Sequence, residues 1–189
     1  MALGTEESGS RLTKLMLHNS HDSRILALDL RTRQFGYAVF EGPKQLLDWG
    51  RRAYPGGDSG ANLAGSRVAE LLRMSHPSVV VVQKERRTGV HNASEMALIV
   101  NAIRREAADR STPICYVTPE NIKAAFRISK VKTKDERAYT LAHIFPELLW
   151  KIPPKRKTWK REHPRMMVFD AIAAGFAYWQ RNGTHSPPS

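Results

Sequence analysis

Ser78-Val-Val-Val-Val82 is the segment that most narrows the fold of this chain. Four consecutive β-branched residues are stiff at χ1 and poorly suited to a surface helix. A short run that is apolar on both alternations fits a strand covered on its two faces, which is the setting of central parallel strands. Upstream, Arg24-Ile-Leu-Ala-Leu-Asp29, Gly36-Tyr-Ala-Val-Phe-Glu41 and Leu46-Leu-Asp-Trp-Gly-Arg51 are apolar runs separated by short polar breaks. They read as three neighbouring antiparallel strands.

Helical spacing fills the intervals. Leu63, Val68, Leu71 and Leu72 mark an amphipathic helix from Asn62 to about Ser75, ended by His76-Pro77. Gly56-Gly57 before it reads as a turn and lacks the Gly-Lys-Ser/Thr context of a phosphate loop. Asn92 offers an N-cap and Glu95 completes a capping-box pattern. Met96, Ile99, Val100 and Ile103 supply that helix's apolar stripe, with Met96 and Ile99 assigned to the core or a dimer interface. Pro113-Ile-Cys-Tyr-Val117 is the next strand, and Thr118-Pro119 opens a short helix to about Phe126. Thr133 and Glu136 repeat the capping box for a helix to about Ile144, and a last helix follows Pro164 through Trp179. A meander followed by βαβ units predicts an α/β domain with a mixed sheet, three antiparallel strands plus parallel ones, flanked by helices.

The chain's 189 residues suit one domain, expected over 24–181. Residues 1–23 and 182–189 are polar and aperiodic, and read as disordered tails. No stretch approaches the roughly 18 consecutive apolar residues of a spanning helix, and there is no apolar signal core. A soluble cytoplasmic protein with no membrane association is expected. The single cysteine, Cys115, reads as an inert core residue.

Charge points to the partner. A net +12 and a pI near 10.2 favour a polyanion, so nucleic acid is considered first. The alternative from charge alone is a ribosomal-type binding protein or a plain basic surface. Two basic runs precede the last helix. Arg127, Lys130, Lys132 and Lys134 form one; the other is the Pro-broken segment Lys151–Arg161, with Lys155, Arg156, Lys157, Lys160 and Arg161 beside Trp150 and Trp159. Such a segment can grip phosphates by charge while an aromatic ring stacks on an exposed base.

Three acids interrupt otherwise apolar segments: Asp29 closing the first strand, Glu85 just past the valine run, and Asp170 within Met166-Met-Val-Phe-Asp-Ala-Ile-Ala-Ala-Gly-Phe176. A carboxylate so placed needs a compensating partner. A salt bridge or helix cap would serve for any one of them. A hard divalent cation would serve for several at once, with waters and phosphate oxygens completing its shell.

Asp29-Leu-Arg-Thr-Arg-Gln-Phe-Gly36-Tyr37 resembles the opening motif of the RuvC-like Holliday-junction resolvases, in which a catalytic Asp ends strand one and Gly-Tyr or Gly-Trp begins strand two. Glu85, seven residues before Asn92-Ala93, resembles the second catalytic segment without a gap. Tyr116-Val-Thr-Pro119-Glu-Asn-Ile-Lys123, Lys134-Asp-Glu136 and Phe169-Asp170-Ala-Ile-Ala173 resemble the later motifs, so the resemblance runs from Arg24 to about Trp179. It implies an RNase H-like fold and a metal-dependent nuclease, with two Mg²⁺ or Mn²⁺ ions directing water at a phosphodiester. Asp29 would bridge the metals, Glu85 would complete one site and Asp170 would bind the other. The substrate implied is branched or structured DNA, cut by a homodimer, and Lys123 and the basic runs would lie near it. A YqgF-like RNA-processing nuclease and a nucleic-acid-binding protein that has lost turnover are the rival readings.

The chain departs from that pattern in three places. Met167 stands three positions before Asp170, where the family carries an Asp or His. Glu162 and His163 are candidate substitutes from the entry to the last helix. Seven helical residues span about 10 Å, so His163 would have to swing back from a loop set by Pro164. Arg86-Arg87 occupy the region of the family's wedge aromatic and favour phosphate contact. Leu30-Arg31 replaces a usual Pro-Gly after Asp29.

Overall fold

The computed structural model describes residues 24–83, 90–127, 129, 131–154 and 162–182, with backbone alone at 90–92. Among the described residues, five strands and five helices, all of the expected kinds, form the frame. The strands are β1 (Arg24–Arg31), β2 (Gln34–Glu41), β3 (Gln45–Ala53), β4 (Val79–Gln83) and β5 (Ile114–Val117). The helices are α1 (Gly57–Ser75), α2 (Val90–Ala108), α3 (Pro119–Ala125), α4 (Lys134–Ile144) and α5 (Met166–Asn182), with an additional 3₁₀ helix at Pro146–Lys151.

The sheet order is β3-β2-β1-β4-β5. The β1, β2 and β3 meander is antiparallel, and β1, β4 and β5 run parallel. The mixed sheet is therefore the one expected, with the valine strand β4 between two parallel neighbours. Val80 and Val81 have no exposed surface, as a strand covered on both faces requires.

Alternation along the strands divides the core in two. Ile25, Ala27, Phe40, Val79, Val81 and Val117 pack with α3, α4 and α5, whereas Leu26, Leu28, Leu30, Phe35, Val80 and Val82 pack with α1 and α2. Glycines let α5 lie close on β2. A Cβ at Gly36 would overlap the Met167 carbonyl, and one at Gly175 would overlap the Phe40 ring. Ile99 is buried in the α1–α2 core and Met96 packs against it, which places both in the core of this chain.

Four local expectations change. Helix α1 begins at Gly57, five residues before Asn62, because Gly56 is its N-cap and the Gly57 N–H donates to Glu95 Oε1 at 2.9 Å. Glu95 thus joins two helices instead of closing a capping box. Helix α2 begins at Val90, so Asn92 lies inside its first turn and does not cap it. Cys115 is half-buried at the edge of the core instead of fully inside it, with the Arg181 guanidinium 3.2 Å from its sulfur. Asn182, read as the first tail residue, is the last of α5. The capping boxes at Thr118/Asn121 and Thr133/Glu136 are both formed. Among the described residues no helix is long and apolar enough to cross a membrane. The expected tails 1–23 and 183–189 lie outside the described residues.

Candidate active site

Asp29 follows Ile25 and Ala27 on the face of β1 that meets α5. Across β2 its register partner is Gly36. The missing Cβ there lets the first turn of α5 lie against the strand, and Asp170 is one turn further on, at the same end of β1 as Asp29. Asp29 and Asp170 are 4% and 3% exposed; with Ser75 they are the buried polar or charged side chains among the described residues.

Burial, and then the charge of Asp170, push the Asp29 carboxyl up to about 7, against the opposing pull of Arg31 and Lys134. The pair is held together by cations. Arg31 Nε is 3.1 Å from Asp29 Oδ2, and its Nη2 is 3.2 Å from Asp170 Oδ2 and 3.6 Å from Glu162 Oε2. Lys134 Nζ is 2.7 Å from both Asp170 Oδ2 and Glu162 Oε1, and Arg137 Nη2 is 3.8 Å from Asp170 Oδ1. Burial alone would lower the Lys134 and Arg31 pKa values, but the facing carboxylates reverse that and hold both cations charged.

Arg31 and Arg137 were not anticipated at the site. Period two along β1 places Arg31 on the face of Asp29, and three-residue spacing along α4 places Arg137 beside Lys134. The Tyr54 hydroxyl donates to the Arg31 carbonyl and fixes the backbone that carries this guanidinium. Lys134, expected as a nucleic-acid contact, is in the acidic cluster.

Of the two proposed substitutes near Met167, Glu162 reaches the ion-pair network. His163 accepts the Arg165 N–H at Nδ1, 3.2 Å, and its carbonyl accepts the Met166 N–H, so it closes the turn leading into α5. Its ring lines a separate recess of about 230 Å³ with Glu162, Lys134 and Met166. Met167 is buried, with its backbone over Gly36.

A larger open cleft of about 520 Å³ lies over Asp29. Arg31, Lys123, Lys132, Lys134 and Arg137 line it, against the one carboxylate of Asp29. Arg127 is exposed and is not among the residues lining it. Trp150, 69% exposed, has the Lys151 ammonium 4.8 Å from its ring centre. Glu85, Arg86, Arg87, Lys130 and Lys155, Arg156, Lys157, Trp159, Lys160 and Arg161 lie outside the described residues. Among the described residues, no three His, Cys, Asp or Glu side chains form a group able to hold a metal.

Solved structures with the same arrangement of strands and helices exist. Thermus thermophilus RuvC in complex with a Holliday junction substrate superposes with a TM-score of 0.67 at 20% identity, covering 85% of this chain and 96% of that one. A second T. thermophilus RuvC structure gives 0.65 at 20% identity, over 85% and 97%. This is the RuvC fold. The yeast mitochondrial Holliday junction resolvase Ydc2 gives 0.58 at 13% identity, covering 96% of this chain and 89% of that one. No family model and no curated protein sequence matches the chain. The RuvC fold accordingly persists here without close sequence identity, as the RNase H-like reading of the motifs anticipated.

Proposed function

We propose that the chain is a divalent-metal-dependent endonuclease that hydrolyses phosphodiesters in branched DNA. The observation that carries this reading is the pair of buried, mutually repelling carboxylates, Asp29 and Asp170, beneath a cleft whose other charged lining residues are all cations. Likeness in fold to T. thermophilus RuvC, solved in complex with a Holliday junction substrate, and to the Holliday junction resolvase Ydc2 supports the choice of branched DNA.

The residues present suit a hard cation. Mg²⁺ is commonly held by one or two carboxylates, with the rest of its shell left to water and phosphate. Asp29 and Asp170 would hold Mg²⁺ or Mn²⁺. In the same cleft as Asp29, the Gln83 Oε1 is buried without a hydrogen-bond partner among the described residues. When bound, the ion supplies Lewis acidity toward a phosphoryl oxygen and a water of lowered pKa.

The chain's own groups do the rest. Lys123 and Lys132 on the cleft wall grip backbone phosphates flanking the scissile one. Arg31, Lys134 and Arg137, which neutralise the two carboxylates in the free chain, become available to the substrate's phosphate once those carboxylates have another cation to bind. Donors fixed by ion pairs and by Tyr54 stabilise developing negative charge without reorganising at the moment of reaction. Glu162 keeps Lys134 and Arg31 in the site by their second contacts.

A binding protein without turnover is the second reading, and the direct Arg31 contacts to both carboxylates favour it. One assay decides. The purified chain with Mn²⁺ or Mg²⁺ is expected to cut a four-way DNA junction in preference to linear duplex and structured RNA. Junction binding with no cleavage in either metal would establish the second reading, and preferential cutting of structured RNA would replace DNA by RNA as the substrate.

A further inference from the structure

The valine strand carries a polar residue that the acidic constellation leaves out. Val79 and Val81 face α5, so Gln83, two positions beyond Val81, is on that same face. The parallel register pairs Leu28 with Val82. One step further along both strands, Gln83 is beside Asp29. Gln83 and Asp29 line the same cleft.

The side-chain oxygen of Gln83 is not satisfied among the described residues. It is buried and has no hydrogen-bond partner there, and a buried acceptor left unpaired destabilises a fold. Three other buried side-chain atoms among the described residues share that state: the indole nitrogens of Trp49 and Trp179, and Arg137 Nε. All three are donors. Gln83 Oε1 is the acceptor among them, and it lies at the end of the strand next to Asp29.

We propose that Gln83 supplies the β4 oxygen of the metal site: its side-chain carbonyl joins the carboxylates of Asp29 and Asp170 as a neutral ligand for the divalent ion. This rests on the metal-dependent reading above. Amide carbonyls are hard oxygen donors of the kind that complete such shells beside carboxylates. The ungapped spacing to Asn92-Ala93 singles out Glu85 for this place, but strand register singles out Gln83, two residues earlier. A neutral third oxygen adds to the ion's shell without adding a third buried carboxylate to the repelling pair. The same neutrality makes the ion more weakly held than three carboxylates would hold it.

Mn²⁺ binding to the full chain without DNA, followed by the electron paramagnetic resonance of free Mn²⁺ and by calorimetry, tests the assignment. Gln83→Met, which keeps the length and removes the oxygen, is expected to weaken Mn²⁺ binding about tenfold, and Gln83→Glu to tighten it about tenfold. Glu85→Gln is expected to leave affinity unchanged, and Asp29→Asn to remove binding. The metal-free Gln83→Met protein should melt no lower than the parent, because the oxygen removed is an unpaired buried acceptor among the described residues. If Asp29→Asn removes binding while Gln83→Met and Gln83→Glu both match the parent, Gln83 is no ligand and the metal reading stands. If Glu85→Gln removes binding and the Gln83 variants do not, the ligand is Glu85. Parental Mn²⁺ binding by Asp29→Asn would overturn the metal site and this inference together.

Discussion

Strand β1 shows two different faces to its surroundings. Toward α1 and α2 it offers Leu26, Leu28 and Leu30, all buried in one apolar layer to the end of the strand. Toward α5 it offers Ile25 and Ala27, and then Asp29 and Arg31. Strand β4 repeats the contrast, with Val80 and Val82 on one side and Val79, Val81 and Gln83 on the other. One face is apolar throughout, and the other gives up its last layer to charge. A buried carboxylate next to another destabilises the metal-free fold, and the uninterrupted face offsets that cost. Substitutions at adjacent residues of one strand should therefore separate activity from stability.

Asp29→Asn should give the largest effect. It removes the charge that the site is built around, so junction cleavage should fall on the order of a thousandfold while junction binding persists. Melting of the metal-free variant at pH 8 should rise, because the cost of burying a charged carboxylate and its repulsion with Asp170 both disappear. Retained cleavage would break the contrast at its centre. One residue away, Leu28→Ala should do the opposite. Its side chain has no exposed surface, and truncation should cost about 2–5 kcal/mol in urea unfolding, with cleavage by the folded fraction unchanged.

The pH dependence of stability sharpens the same contrast. The Asp29 carboxyl is raised from 3.8 to about 7 in the folded chain, so between those values the folded state binds the proton that the unfolded state has released. Its contribution is fully present below about pH 4, declines as pH rises and is lost above about pH 7. Thermal melts of metal-free protein should show this decline, and Asp29→Asn should flatten it relative to the parent. Equal pH trends in the two proteins would mean that Asp29 is ordinary in the folded state.

Much of this was legible in the chain. Period-two alternation and the valine run specify the sheet, and Asp29, Gly36 and Asp170 stand at positions whose meaning depends on backbone geometry that the pattern already implies. Gly36 is the clearest case: its lack of a side chain is what admits α5 beside Asp29. The rest depended on contacts between distant elements. Arg31 looked like part of a turn, since nothing local announces that its guanidinium spans to residue 170. Glu95 looked like a capping residue until α2 began two residues earlier than Asn92 and its carboxylate met Gly57. Gln83 carries no charge to draw notice, and only strand register puts it beside Asp29.

The smallest expected effect concerns the entry to α5, where two neighbouring residues divide the roles proposed for a substitute at Met167. Glu162 makes ion pairs with Arg31 and Lys134, whereas His163 spends its Nδ1 on the Arg165 N–H. Replacing a side chain that satisfies a helix-entry N–H costs about 1 kcal/mol. His163→Ala should lower stability by that amount, read from urea unfolding, and leave the Mn²⁺ dependence of cleavage unchanged. Glu162→Gln should instead shift the Mn²⁺ dependence, because it frees Lys134 and Arg31 to compete more strongly for Asp170. If His163→Ala raises the Mn²⁺ requirement and Glu162→Gln does not, the histidine swings into the charged face from its recess, and the boundary between the two faces of the domain extends past the strands into this loop.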